Sequence, residues 1–228
     1  LEVSQTCTTK AEFDDRKIGG RNLVLNSDFS NETTGWTAEA GATLTVEQDA
    51  TYGTCAKYVA EHLYNETPAQ RFYTTNITFE PSAEDGAMLS FMAKADEAAT
   101  LYSGRQGSKE EQAHSITTEW GYFSRSFSGG LSGSLSFYGI GTFYITDIKY
   151  EAGNKATDWI PAPEDVQQSI GNAQSTADAA QDTADAANEE VQIAKTSIEL
   201  LNNSIRSLVT DENGSSLMTQ TSSGWTFN

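Results

Sequence analysis

Residues 166–208 read VQQSIGNAQSTADAAQDTADAANEEVQIAKTSIELLNNSIRSL. Apolar or Ala side chains recur there in alternating steps of four and three: Val166, Ile170, Ala173, Ala177, Ala180, Ala184, Ala187, Val191, Ala194, Ile198, Leu201, Ile205 and Leu208. A strict 3.5-residue repeat held over so many turns predicts a left-handed coiled coil. With Ile170 at a, the a positions carry Ile170, Ala177, Ala184, Val191, Ile198 and Ile205, and the d positions carry the rest. At 1.5 Å per residue the stretch forms a rod of roughly 65 Å. Such a seam needs partner helices, so the expectation is a parallel homo-oligomer, dimer or trimer. The rival reading is a solitary Ala-rich helix, or one docked on its own domain.

Two further features belong to the rod. Ala173–Ala179 (AQSTADA) is followed directly by Ala180–Ala186 (AQDTADA), a heptad copied in tandem. The e and g positions are mostly uncharged (Gln167, Ser169, Gln174, Thr176, Gln181, Thr183), except that Glu190 at g and Lys195 at e are spaced to pair across a parallel interface. The run of Ala at a and d through residues 173–187 buries little area per residue, so the middle of the rod is expected to be its weakest part. Ile at a with Leu at d towards the C-terminal end leans towards two strands.

Working outward, the preceding segment Thr157-Asp158-Trp159-Ile160-Pro161-Ala162-Pro163-Glu164-Asp165 reads as a hinge. Pro163 suits the first helical position, Glu164 and Asp165 suit the positive end of the helix dipole, and Trp159 is placed to clamp the joint. From residue 21 to about 153, short runs rich in Val, Tyr, Phe, Thr and Ile alternate with Gly, Ser, Asn and Asp. Strands are expected at 22–26, 44–47, 56–60, 70–79, 88–93, 99–103, 121–127, 135–138 and 143–150. Leu89, Phe91 and Ala93 alternate with Ser90, Met92 and Lys94, as a half-buried strand requires. Strands this short and this many, with no long helical pattern among them, predict an antiparallel β-sandwich of jelly-roll type, so the fold class is mainly β with a long helix after it.

The expected domains are therefore an N-terminal arm at 1–20, a sandwich at 21–158, linker and coiled-coil helix at 159–210, and a β segment at 211–228. Thr9-Lys10-Ala11-Glu12 fits a capping box in the arm. Asp211-Glu212-Asn213-Gly214 is a turn signal, and the weak alternation of residues 216–228 suggests the start of a second β region. The chain opens at Leu1 without an initiator Met and stops at Thr226-Phe227-Asn228, so a piece of a longer protein is expected.

The chain has 228 residues, with 14 Lys+Arg against 32 Asp+Glu and a net charge of −18. That balance argues against nucleic acid and anionic membranes, which need basic patches. No apolar run approaches the length of a membrane span. Cys7 and Cys55 do not make a disulfide framework; a single bridge and two unpaired thiols both stay open.

Two motifs carry a resemblance. Gly20-Arg21-Asn22-Leu23-Val24-Leu25-Asn26-Ser27-Asp28-Phe29, followed by Thr34-Gly35-Trp36, resembles the opening of carbohydrate-binding-module-like jelly rolls in tail proteins of phages and prophages of Gram-positive bacteria. Tyr144-Ile145-Thr146-Asp147-Ile148-Lys149-Tyr150-Glu151-Ala152-Gly153-Asn154-Lys155-Ala156-Thr157-Asp158-Trp159 looks like the closing strand and exit of the same modules. More loosely, Leu217–Thr221 and Gly224–Asn228 resemble a segment after the coiled coil in phage minor tail proteins. The resemblance implies a tail-tip or receptor-binding component of the virion tail, assembled with other tail proteins, whose sandwich adheres to cell-surface glycan. It also implies a structural Ca2+ joining the first and last strands, with Asp147 and Asp28 as candidate ligands. The usual acid after the Phe is replaced here by Ser30.

Sugar recognition needs flat aromatic faces and fixed hydrogen-bond partners at the ring edge. Trp120 and Tyr122 share one face of a strand, while Phe123 and Phe127 share the other and read as core. Trp120 and Tyr122, with Tyr102, Arg105 and Gln106, form the expected binding platform; Trp36 and Trp159 read as structural. Catalysis is not expected. His62 and His114 lack metal-ligand spacing, and neither a nucleophile elbow nor a phosphate loop is present. The acids Glu84-Asp85 and Glu110-Glu111 are adjacent, so they point apart rather than across a cleft. The working reading is a non-catalytic tail module for glycan adhesion, with a ligand-free tail spacer and a bacterial surface adhesin as its rivals.

Overall fold

The computed structural model describes residues 19–208, 218–221 and 224–227, apart from positions 40, 64–65, 67–68, 106–110 and 129–132. The arm before Gly19, Cys7 and Gln106 lie outside the described residues. The strands are β1 (Trp36–Ala38), β2 (Thr43–Asp49), β3 (Gly53–Ala60), β4 (Phe72–Thr74), β5 (Ala87–Ala95), β6 (Ala99–Arg105), β7 (Gln112–Ile116), β8 (Gly121–Phe127), β9 (Leu135–Tyr138) and β10 (Gly141–Ala152). After them come helix α1 (Pro163–Leu208) and strands β11 (Met218–Thr221) and β12 (Gly224–Phe227). The chain divides into two compact units between Gln168 and Ser169.

In the first unit the strands form two antiparallel five-stranded sheets, ordered β1-β4-β9-β6-β7 and β2-β3-β10-β5-β8. From β3 to β10 the connections give 4-9-6-7 in one sheet and 3-10-5-8 in the other, which is jelly-roll wiring. Period-two alternation builds the core between the sheets. Leu89, Phe91 and Ala93 of β5, Tyr58 of β3, Phe72 of β4, Phe137 of β9, and Phe143 and Ile145 of β10 are all buried there. Phe72 and Phe137 stack at 5.1 Å, and Phe91 meets Phe137 edge-on at 5.1 Å.

Three expectations change. Residues 22–26 do not make a strand; they carry a single bridge, Val24 to Ile77, inside a run of turns. The strand expected at 70–79 shortens to β4, and two strands were missed, β1 and β7. β7 is the edge of its sheet, with only His114 and Ile116 buried, so its sequence shows little of an alternating apolar face.

The turn-rich opening is explained by two asparagines. Asn22 is fully buried; its amide donates to Ser27 Oγ, the Ile148 carbonyl and the Ile160 carbonyl, and its Oδ1 accepts the amides of Val24 and Tyr150. Asn26 sits in the left-handed region at φ 48°, a conformation that Asn tolerates better than most residues. Its side chain donates to the carbonyls of Glu32 and Thr34 at 2.9 Å, and its own carbonyl accepts the Trp36 indole N–H at 3.0 Å. These side chains supply part of what a ladder would otherwise make, while Leu23 and Leu25 donate to the carbonyls of Tyr150 and Asn76.

The closing strand is fixed by a buried ion pair. Lys149 and Glu151 on β10 are each 1% exposed, with Nζ and Oε2 at 3.5 Å. Lys149 also donates to the Asp158 carbonyl at 2.7 Å, and Glu151 accepts the Thr157 amide at 2.8 Å. Trp159 donates to Ser27 Oγ at 3.2 Å, and Asp165 in the first turn of α1 accepts the Asn26 amide at 2.8 Å. Arg21 and Glu164 add an ion pair. Opening, exit and helix start are therefore one hydrogen-bonded knot, in which Trp36 and Trp159 serve as struts.

In the second unit, every residue from 169 to 204 is exposed. Gln174 to Asp178 and Gln181 to Asp185 repeat the same i,i+4 hydrogen bond in the two copied heptads, at 2.7 and 2.9 Å. Ile170, Val191, Ile198 and Leu201 on the expected seam are 61–67% exposed in the single chain. Ile193 and Leu200, at c positions off that seam, are exposed to a similar degree. β11 and β12 form an antiparallel hairpin from Met218↔Phe227 to Thr221↔Gly224. No described helix is long and apolar enough to cross a membrane.

Candidate functional site

The side chains between the sheets are committed to packing, so any ligand must meet an outer face or an edge. On the β1-β4-β9-β6-β7 sheet, Leu101, Ser103 and Arg105 of β6 point into the core, which turns Tyr102 outward. Tyr102 lies opposite Tyr138 of β9, and their rings stack at 4.9 Å with an interplanar angle of 6°. On its other side the register partner is Ala113 of β7, whose methyl leaves that flank of Tyr102 low. One row further along lie Tyr73, Ser136 and Gly104, again an aromatic beside small residues. The result is a shallow trough whose open aromatic walls are the half-buried Tyr73 and Tyr102, while Tyr138, 5% exposed, backs the Tyr102 ring and Ser136, 7% exposed, lies in the floor.

Its polar edge is Arg71, whose guanidinium sits 4.5 Å from the Tyr73 ring centroid. Glu39 holds Arg71 by two contacts, at 2.7 and 3.3 Å, and the bond from Arg71 in turn lowers the Glu39 carboxyl below its usual range. A fixed guanidinium–carboxylate pair beside aromatic rings can grip the hydroxyl edge of a sugar whose C–H face rests on tyrosine.

The residues expected as one platform are not one surface. Trp120 and Tyr122 belong to the other sheet, because the jelly roll sends β6 and β8 to opposite sides. The Trp120 indole N–H donates to Asp49 Oδ2 at 3.1 Å, the Tyr52 ring packs at 4.9 Å, and the Lys94 ammonium stands 4.9 Å from its centroid. Tyr122 stands opposite Met92 and is 56% exposed. Arg105 is 2% exposed, bonded to Glu80 at 2.6 Å and lying 4.9 Å from the Tyr150 ring centroid, so it serves the interior. Of the expected residues that are described, Tyr102 alone lines the trough. Its companions Tyr73, Tyr138, Arg71 and Glu39 were missed; in LSFY (residues 135–138) two successive aromatics hide which one faces out.

Asp147 occupies the bulge that interrupts the β10–β5 register between Thr146 and Lys149, at φ 51°. Burial, and then the charge of Asp28, push its carboxyl above the usual range. Asp28 Oδ1 accepts the amide and the hydroxyl of Ser30, the residue that stands where an acid was expected. The donors are hard oxygens of the kind Ca2+ takes, and a cation would relieve the repulsion between the two carboxyls. Among the described residues no group of three or more His, Cys, Asp or Glu side chains converges for a metal, so backbone oxygens would have to complete the shell.

The remaining polar groups of the interior are structural. His114 is buried beside Phe91 and Phe123, its Nε2 is 2.9 Å from Ser103 Oγ, and burial followed by the Arg125 charge lowers its imidazole to about 4. Cys55 is a buried thiol, pushed up chiefly by burial to about 11.

No family model and no curated protein matches this chain. Solved structures do. The enzymatically active domain of tailspike protein 4 from bacteriophage CBA120 is 18% identical, with a TM-score of 0.42 over 57% of this chain and 21% of that one. The tandem CBM22 domain of Paenibacillus barcinonensis Xyn10C is 17% identical, with a TM-score of 0.45 over 61% of this chain and 47% of that one. A CBM4 structure is 17% identical, with a TM-score of 0.44 over 57% of this chain and 99% of that one. The chain thus spans about a fifth and about half of the first two.

Proposed function

We propose that this protein is a non-catalytic glycan-binding module of a phage or prophage tail, held in parallel copies by its helix. The observation that carries the binding half is the trough: half-buried Tyr102 and Tyr73 beside small residues, Tyr102 held flat by the buried, coplanar Tyr138, with the Arg71–Glu39 pair at its rim. The tail assignment rests on the opening and closing motifs, and self-association on the unbroken heptads. Weak affinity at one trough rises when several are displayed together, because the second contact becomes intramolecular. Display on a virion tail, beside other tail proteins, would place the troughs against the host surface.

The test is retention on purified cell-wall polysaccharide and on a glycan array. Tyr102→Ala is expected to weaken binding at least tenfold, since one stacked ring contributes about 1 kcal/mol or more beyond its buried area. Wild-type retention by Tyr102→Ala would remove the trough from the reading. Failure of the intact protein to retain any glycan would favour a ligand-free tail spacer, and the genes beside its own would separate tail from bacterial adhesin.

We also propose that Asp28 and Asp147 share a structural Ca2+. Because the folded Asp147 binds its proton more tightly than the unfolded chain does, its ionised form costs the fold stability as pH rises through its pKa. Asp147→Asn keeps a side chain suited to φ 51° and removes that charge. The expected outcome is a higher Tm than wild type in EDTA at neutral pH, and no rise on adding Ca2+, whereas the wild type rises. A wild-type Tm indifferent to Ca2+ would dismiss the metal.

A further inference from the structure

The β2–β3 hairpin departs from the sheet it belongs to. The ladder between β3 and β10 runs from Gly141↔Ala60 to Ile145↔Ala56 and stops before the hairpin end at Gly53. In the sheet, β3 and β10 separate β2 from β5, yet Asp49 at the end of β2 reaches Lys94 of β5 at 2.7 Å. The same carboxylate takes the Trp120 indole N–H, and Tyr52 in the hairpin turn packs on the Trp120 ring. A flat sheet could not make these contacts across two intervening strands. The hairpin end therefore arches over the outer face and is clasped to β5 and to the start of β8.

The arch encloses a recess of about 330 Å³. Gln48 and Glu47 line it from the hairpin, Lys94 and Tyr144 from the sheet, and Asp96 and Thr118 from the turns after β5 and β7. Two of its acids are balanced within the fold, Asp49 by Lys94 and Glu47 by Lys57 at 2.8 Å, while Asp96 is set against the Tyr144 hydroxyl. An anionic ligand would have to break one of those pairs and face the Asp96 carboxylate. A neutral polyol would not, and it matches an amide, a hydroxyl and a carboxylate grouped around an aromatic ring. The volume is at the small end for ligand pockets, which suits one ring rather than a chain.

We infer that this recess is a second binding site, specific for one neutral sugar unit such as the end residue of a glycan, on the sheet opposite the tyrosine trough. It does not depend on the trough reading. The test is titration of the full chain with glucose, galactose and N-acetylglucosamine, followed by amide NMR. Millimolar binding that moves the amide signals of Gln48 and Thr118 is expected, with at least a fivefold loss in both Gln48→Ala and Thr118→Val, which change exposed side chains. Tyr102→Ala should leave these titrations unchanged. The inference is overturned if none of the three sugars moves those signals at concentrations on the order of 100 mM, or if both variants bind as wild type does. It is equally overturned if glucuronate or glucosamine binds there while the neutral sugars do not. Loss of polysaccharide retention in Tyr102→Ala with intact monosaccharide titration separates the two sites.

Discussion

The knot that closes the sandwich and the helix that follows it use polar residues in opposite ways. Around Asn22, Lys149 and Glu151, strongly polar side chains are almost completely buried, and each has partners within the same chain. From 169 to 204 every residue is exposed, the apolar ones included, and most of these follow a 3.5-residue repeat. The first region is complete as a single chain, whereas the second presents a pattern that, on the proposed reading, further copies of the chain would bury. On that reading folding and assembly are written in separate stretches, and each should respond to mutation without the other.

The largest effect is expected on assembly. Val191→Asp with Ile198→Asp places charges at two a positions and should reduce the particle to a monomer by light scattering, with loss of helical signal, while sandwich melting is unchanged. Ile193→Ser with Leu200→Ser removes equally exposed side chains from c positions and should leave the mass as it was. A shared response would dissolve the contrast drawn above, since both pairs would then act through one broad apolar face.

Next in size is Lys149→Ala, which strands the Glu151 carboxylate at 1% exposure. Breaking such a pair costs about 3–5 kcal/mol, so the sandwich should melt lower by roughly 10 °C. Oligomer mass measured well below that transition should not change. A loss under 1 kcal/mol would mean that water reaches the knot.

The smallest effect is a pH dependence confined to the sandwich. His114 titrates near 4 when folded against 6.5 as the ordinary value. The unfolded chain therefore takes up a proton below pH 6.5 that the fold resists, and stability falls as pH drops from 6.5 towards 4. The contribution is complete above that window, and its loss amounts to on the order of 3 kcal/mol at the low end. His114→Gln should flatten this slope in urea titrations at stepped pH. An unchanged slope would assign it to other groups.

Local pattern carried much of this fold. The alternation in β5 could be read directly, because burial on one face leaves a periodic trace, and the long helix α1 was legible from its unbroken run of helix-forming residues, although the seam its heptads predict is exposed in the single chain. The segment 22–26 could not: Leu23, Val24 and Leu25 look like a strand, but the Asn22 side chain takes the Val24 amide, Leu23 and Leu25 donate to two different segments, and the left-handed Asn26 turns the chain away. The trough was harder still. Tyr102, Tyr138 and Tyr73 come together through the order of strands in a sheet, a non-local fact that no spacing along the chain encodes. Trp120 misled for a related reason. Its ring lies on an outer face, but the partners that occupy it arrive from a hairpin some seventy positions earlier, as the separation of 71 between Asp49 and Trp120 records.

β10 lies at the centre of its sheet, bonded to β3 on one side and β5 on the other, and the chain passes from it through the Lys149–Glu151 knot into α1. A tug applied through the start of the helix therefore meets the knot first and then a strand bonded on both sides, where an edge strand would be held on one side only. If the proposed role in adhesion holds, this is the stronger attachment for a module loaded through its helix.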